Sequence, residues 1–191
     1  MTRAVLSAGT NLGDRLAHLR SAVEGYREHL VAVSRVYATP PWGGVEQDEF
    51  YNITLIVEGE REPADWFATA VALEQSADRR REVRWGPRTL DVDVISVTDA
   101  GQEVLSDDPT LTLPHPRAAI RAFVLIPWLD VEPDATLWTP AGVRAVSDLV
   151  DDLDPAERAG VRPVATLPST GHDPASTGHG SASTGRAEQI R

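Results

Sequence analysis

Residues 4–37 read AVLSAGTNLGDRLAHLRSAVEGYREHLVAVSRVY, and two changes of period inside this stretch decide the fold class. Ala4 to Ala8 is a short apolar run stopped by Gly9, the pattern of a buried strand. Leu12, Leu16, Leu19, Val23, Tyr26 and Leu30 then recur at steps of three and four, which predicts an amphipathic helix. Val31 to Tyr37 alternates, with Val31, Val33 and Arg35 on one face, which predicts a second strand. Thr39-Pro40-Pro41-Trp42-Gly43-Gly44 breaks all regular structure. Further along, Phe50 to Val57 reads as a strand, Ala64 to Ser76 as a helix opening just after Pro63, and Asp91 to Val97 as a β-branched strand. A helical turn at Arg117 to Ala122, an apolar segment from Phe123 to Leu129 and a short helix from Ala145 to Leu153 follow. The order βαββαβ with later additions predicts an α/β (α+β) protein of ferredoxin-like plan, with helices packed on a mainly antiparallel sheet.

The 191 residues suit one domain of ordinary size. From about Pro168 the composition changes to PSTGHDPASTGHGSASTGRAEQIR, with STG repeated three times and almost nothing apolar. Such a segment buries too little surface to offset its ordering entropy, so residues 1–164 are expected to fold and 165–191 to form a disordered tail. His172 and His179 fall within it and read as solvated residues rather than metal ligands. No apolar run approaches the roughly 18 residues of a membrane span, and the opening MTRAVLSAGTNLGDR is too quickly polar for a signal peptide. A cytoplasmic protein is therefore expected, without a membrane partner. The absence of cysteine excludes disulfides, a thiol nucleophile and thiolate zinc sites. A formal net charge of -11 argues against general nucleic-acid binding. All 18 basic residues are arginine, so any anion must be recognised by Arg, His or backbone N–H groups.

The strongest chemical signal is Arg84-Trp85-Gly86-Pro87-Arg88-Thr89-Leu90-Asp91-Val92-Asp93. Alternation along a strand puts Asp91 and Asp93 on one face, roughly 7 Å apart at Cα. Two carboxylates so placed seat a hard divalent cation such as Mg²⁺, whose other positions go to phosphate oxygens and water. Arg79, Arg80, Arg81, Arg84 and Arg88 lie just upstream, and guanidinium groups bind phosphate bidentately. Together these point to a nucleotide polyphosphate site; a polar strand edge beside a solvated basic loop is the plainer alternative. Leu113-Pro114-His115-Pro116, followed by Arg121 and Phe123, presents a rigidly held histidine that suits a phosphate contact or a simple turn. Phe50 and Asn52 share a strand face downstream of Thr39-Pro40-Pro41-Trp42, and an aromatic plane beside an amide suits a flat, hydrogen-bonding heterocycle. Core packing is the other role open to Phe50. The segment Gly9-Thr10-Asn11-Leu12-Gly13-Asp14 lacks P-loop and Rossmann spacings and reads as a tight strand-to-helix turn with Asp14 near the helix start.

These segments together resemble the 6-hydroxymethyl-7,8-dihydropterin pyrophosphokinase family. The resemblance runs from about Arg3 to Asp134 and rests on SAGTNLGDR, TPPWGG with FYN, RWGPRTLDVD, and LTLPHP followed by RAFVLIPW, in order. It implies transfer of the terminal pyrophosphate of ATP to the pterin hydroxymethyl oxygen in folate biosynthesis, with release of AMP. By the same resemblance Asp91 and Asp93 hold two Mg²⁺ ions, one between the α- and β-phosphates and one at the pterin hydroxyl. Phe50 and Phe123 sandwich the pterin, while Asn52, Thr39 and the backbone of Pro40 to Trp42 read its edge. Glu74, Arg88, His115 and Arg121 contact the nucleotide, Arg79 and Arg81 contact phosphate, and Trp85 and Arg88 lie on a loop that closes over the site. ATP and the pterin are the small-molecule partners implied, and association with neighbouring folate enzymes is left open.

Two positions depart from the family pattern. Asp78 stands where a glycine usually precedes the paired arginines and adds negative charge near the phosphates, and because loop length varies here Arg80 could take the role of Arg79 or Arg81. Val71 replaces a nucleotide-contacting glutamine one turn before Glu74. Neither touches the metal pair or the pterin residues, so an active enzyme is expected. A non-catalytic pterin- or nucleotide-binding module of the same fold is the alternative, which the Asp91–Asp93 pair disfavours. An RNA-binding domain of this fold is disfavoured by the charge.

Overall fold

The computed structural model describes residues 1–41, 48–77 and 89–167. Its chain runs β1 (Thr2–Thr10), α1 (Arg15–Gly25), β2 (Leu30–Val33), β3 (Val36–Thr39), β4 (Phe50–Gly59), α2 (Pro63–Ser76) and β5 (Asp91–Asp99). Three two-residue strands follow: β6 (Gln102–Glu103), β7 (Ser106–Asp107) and β8 (Thr112–Leu113). The remainder comprises α3 (Ala122–Val131), β9 (Thr136–Thr139), β10 (Gly142–Ala145), α4 (Val146–Asp151), α5 (Pro155–Gly160) and β11 (Arg162–Ala165). The main sheet has the order β11-β3-β4-β1-β5-β6, with β2 also paired to β4, and every pairing in it is antiparallel. With β2 and β3 sharing one position, β1 lies between the third and fourth strands of a βαββαβ unit. That is the ferredoxin-like plan the sequence predicts.

Alternation along the strands divides the interior in two. Ala4, Leu6 and Ala8 of β1, Ile53, Leu55 and Val57 of β4, and Val92 and Val94 of β5 pack with Leu19, Val23, Trp66 and Ala70 of α1 and α2. Val5, Ile56 and Ile95 pack instead with Val124, Leu125 and Trp128 of α3 and Val146 and Leu149 of α4. The sheet is thus covered on both faces. Its ends are fixed locally: the Asp14 side chain accepts the Ala17 N–H at 3.0 Å to cap α1, and Glu62 and Asp65 form a reciprocal capping box where Pro63 opens α2.

Three expectations need correction. The first helix stops at Gly25 rather than Leu30; a 3₁₀ turn at Arg27–His29 follows, and Leu30 pairs with Val57. A Cβ on Gly25 would stand 2.6 Å from Leu73 Cδ2, so the glycine lets α1 approach α2 closely. The single strand expected over Val31 to Tyr37 is two, because the Arg35 N–H leaves the ladder to donate to Asp130 Oδ2 on α3 at 2.8 Å. The folded part also passes the expected boundary at 164: β11 runs to Ala165 against β3, and Leu167 is buried in the first core. Residues 168–191, where the tail is expected, lie outside the described residues. Among the described residues no helix is long and apolar enough to cross a membrane.

Candidate active site

The register across three strands builds the centre. Gly9 of β1 is opposite Asn52 of β4 on one side and Asp91 of β5 on the other; two residues along, Ser7 is opposite Thr54 and Asp93. Directly opposed residues share a face. Asn52 and Asp91 therefore stand on the same face with only Gly9 between them, about 10 Å apart at two inter-strand spacings. This is the face that carries α3, opposite the one on which Val92 and Val94 are buried.

The expected pterin side gathers at one end of that row. Asn52 is buried and its Nδ2 donates to Thr39 Oγ1 at 2.9 Å, which leaves the carboxamide oxygen as an acceptor. Phe50 pairs with Thr39 and shares the parity of Asn52. Phe123, in the first turn of α3, meets Thr39 and Pro40 around a cavity of about 120 Å³, whose outer wall is Ala156, Glu157 and Val161. Gly9 is not the turn residue expected: it lies inside β1, and a Cβ there would be 2.7 Å from Asn52 Oδ1. Gly13, at φ +64°, is the residue that turns the chain toward α1.

At the other end Asp93 is the hub. Its Oδ2 accepts from Arg121 Nη1 at 3.2 Å and lies 3.9 Å from His115 Nε2. His115 Nδ1 accepts the Arg117 N–H at 3.1 Å, so in the neutral ring the proton sits on Nε2, facing Asp93. Burial lowers the His115 pKa, the Asp93 charge opposes it, and Arg121 and Arg117 lower it further, so the ring is neutral near pH 7. Burial also lowers the Arg121 pKa, against the pull of Asp93. The Arg121 guanidinium lies 5.4 Å from the Phe123 ring centroid, so one arginine touches both ends of the site. Glu74 Oε1 accepts the Val92 N–H at 2.9 Å, which ties α2 to the strand between the two aspartates. A second cavity, about 240 Å³, opens beside Asp93 and His115 between Phe67 and Leu111.

The structure thus brings together Thr39, Pro40, Phe50, Asn52 and Phe123 at one end, and Glu74, Asp91, Asp93, His115 and Arg121 at the other. Trp42, Arg79, Arg81, Trp85 and Arg88 lie outside the described residues. Glu157 stands in a stretch without a motif, and the role of Gly9 has no sequence signal. Nor does that of Asn11, whose Nδ2 donates to Asp48 O at 3.2 Å just ahead of β4. A larger cavity, about 320 Å³, lies near Arg3, Glu103, Trp128 and Trp138, toward the opposite end of β1 and remote from this chemistry.

The donor chemistry of the two aspartates suits a hard metal ion. Both are hard oxygen donors on one face, and about a third of the Asp93 side chain is exposed. Among the described residues no group of three or more His, Asp or Glu side chains converges. A two-carboxylate seat fits Mg²⁺, which takes its remaining ligands from phosphate and water.

The profile of the family described as 7,8-dihydro-6-hydroxymethylpterin-pyrophosphokinase (HPPK) matches residues 5–133. The 2-amino-4-hydroxy-6-hydroxymethyldihydropteridine pyrophosphokinase of Mycobacterium tuberculosis H37Rv is 50% identical over 168 residues, spanning 85% of this chain and 89% of the relative. Bifunctional protein FolKE of Lactococcus lactis is 37% identical over 131 residues, 66% of this chain and 36% of that protein. In fold, the chain is similar to Plasmodium falciparum HPPK-DHPS, with a TM-score of 0.54 at 14% identity, covering 78% of this chain and 43% of the longer one. The match over the ferredoxin-like core and the half-identity with the mycobacterial enzyme establish that this chain belongs to the HPPK family, pyrophosphokinases that transfer pyrophosphate from ATP to hydroxymethyldihydropterin in folate biosynthesis.

Proposed function

We propose that the row Asn52–Gly9–Asp91 is the axis of the reaction, with the pterin held at the Asn52 end and the ATP phosphates at the Asp91–Asp93 end. The observation that carries this reading is the register itself, which puts the Asn52 amide and the Asp91–Asp93 carboxylate pair on one face a single strand apart. Phe123 and Phe50 stack on the ring. Asn52 and Thr39 read its edge, together with Pro40 and, from outside the described residues, Trp42. His115 and Arg121 contact the nucleotide, as do Arg79, Arg81 and Arg88, with Trp85 on the closing loop. Glu74 acts on the nucleotide side and also fixes the strand between the aspartates.

In the reaction the pterin hydroxymethyl oxygen bonds to the β-phosphorus. The bond from that phosphorus to the α-phosphate bridging oxygen breaks, AMP departs with that oxygen, and the hydroxyl proton is released. Negative charge builds on the oxygens between the α- and β-phosphates, and Arg121 would neutralise it there. Asp91 and Asp93 would hold two Mg²⁺ ions, which when bound neutralise phosphate charge and acidify the pterin hydroxyl. His115, whose Nδ1 is taken by the Arg117 N–H, donates from Nε2 on the nucleotide side. The reaction needs only small-molecule partners. Association with neighbouring folate enzymes is in keeping with the bifunctional relative, and a cytoplasmic setting with the absence of a membrane-crossing helix among the described residues.

Steady-state kinetics of Asn52→Ala and Asp93→Ala test this division. The first should raise the KM for pterin and leave that for ATP unchanged; the second should abolish Mg²⁺-dependent turnover. Equal effects of both variants on both substrates would contradict it.

A further inference from the structure

The segment that follows α4 is an addition to the βαββαβ unit, joining its sheet only at the β3 edge, and lies beyond the 5–133 stretch that the family profile matches. It nevertheless closes the cavity beside Phe123. Four independent contacts tie it there. Glu157 Oε1 accepts the Ala122 N–H at 3.3 Å, one of the first-turn donors of α3 that has no partner within the helix. Gly160 lies so close to Pro40 that a Cβ would stand 3.1 Å from its Cδ. Arg162 of β11 pairs with Ala38, one residue before Thr39. Arg162 Nη2 also donates to Glu49 Oε1 at 2.6 Å, one residue before Phe50. The segment therefore grips both flanks of the β3–β4 connection and the start of α3, the three places that supply Thr39, Pro40, Phe50 and Phe123.

We propose that α5 and β11 form a brace that sets the width of the pterin pocket, and that Glu157 is its positioning residue. The inference rests on the assignment of the pterin to this pocket. Glu157 acts through α3: its carboxylate meets an orphan N–H at the positive end of the helix and fixes the turn from which Phe123 projects. Arg121, which precedes Ala122 and reaches the Phe123 ring, has a second anchor in Asp93, so the brace acts first on the pterin side.

The test is equilibrium binding of 6-hydroxymethyl-7,8-dihydropterin and, separately, of a non-hydrolysable ATP analogue with Mg²⁺, using full-length wild type, Glu157→Ala and Glu157→Gln. Glu157→Ala should weaken pterin binding about five- to tenfold, the loss of one charge-assisted hydrogen bond that orders a stacking residue. Glu157→Gln keeps an acceptor oxygen and should restore binding to within about twofold of wild type, and ATP-analogue affinity should change less than pterin affinity in both. Gly160→Ala, which presses on Pro40 from the other side, should lower pterin affinity in the same direction. Unchanged pterin affinity in Glu157→Ala overturns the proposal. So does an equal loss for both ligands, or a Gln variant as weak as the Ala one, since a general structural role would produce either. Wild type that binds the analogue but not the pterin overturns the pocket assignment itself, and is distinguishable because it shows before any substitution is made.

Discussion

Gly9→Ala perturbs the centre of the row with a single methyl group. The new Cβ would lie 2.7 Å from Asn52 Oδ1, about 0.7 Å inside the 3.4 Å of ordinary contact. Asn52 is 3% exposed, so its carboxamide has little room to yield. A displacement of that size breaks the 2.9 Å bond to Thr39 Oγ1 and turns the amide away from the pterin edge. Loss of that bond costs about 1 kcal/mol and the overpacking about 1–3 kcal/mol, which in a domain of this size lowers Tm by roughly 4–16 °C. Misdirection of one edge-reading hydrogen bond should raise the pterin KM about tenfold. The assay is AMP release at saturating Mg²⁺-ATP with varied pterin, alongside thermal melting. Gly101→Ala is the control: its φ of +80° makes any side chain strained, and nothing lies within 4 Å of the added Cβ. It should lose stability with the pterin KM unchanged. A Gly9→Ala enzyme with a wild-type pterin KM would refute the geometry of the row.

Asp93→Asn removes the charge that organises Arg121 and His115 and half of the metal seat; kcat should fall about a hundredfold or more, with little change in Tm, measured by the same assay. Truncation after Leu167 should retain wild-type activity and Tm, whereas truncation after Gly160 removes β11 and the buried Leu167, and should lower Tm and pterin affinity together. Asp130 is a pH reporter: burial raises its pKa, but the hydrogen bonds and charge of Arg35 outweigh this and hold it below the ordinary value. Its stabilising effect is therefore complete above about pH 4 and is lost as pH falls through the lowered pKa. Asp130→Asn should melt below wild type at pH 7, and chemical denaturation should show the difference shrinking at pH 3. A difference that stays constant with pH would contradict that linkage.

The core elements were legible because each carries its own period. The strand run from Ala4, the three- and four-residue apolar steps of α1, Pro63 at the head of α2 and the β-branched residues after Asp91 all report local geometry. What escaped depends on partners far away in sequence. β9 and β10 are four residues each, and β11 contains Pro163; none is long enough for a period to show. The split between β2 and β3 is set by Asp130, 95 residues from Arg35. The site divides in the same way. Asp91, Asp93, Asn52 and His115 announce themselves by residue type and spacing. Gly9 acts by what it leaves room for, and Glu157 through a backbone N–H 35 residues away. Neither leaves a mark in a single sequence.

The most direct test of the two-ended site is to incubate wild type and Asp91→Ala with Mg²⁺-ATP, with and without 6-hydroxymethyl-7,8-dihydropterin, and to separate AMP from ADP. Wild type should form AMP only when the pterin is present, with no ADP, and Asp91→Ala should form neither. Pterin-dependent ADP from wild type would mean attack at the γ-phosphorus. Undiminished AMP from a folded Asp91→Ala enzyme would mean that the carboxylate end of the row is not where the phosphates are held.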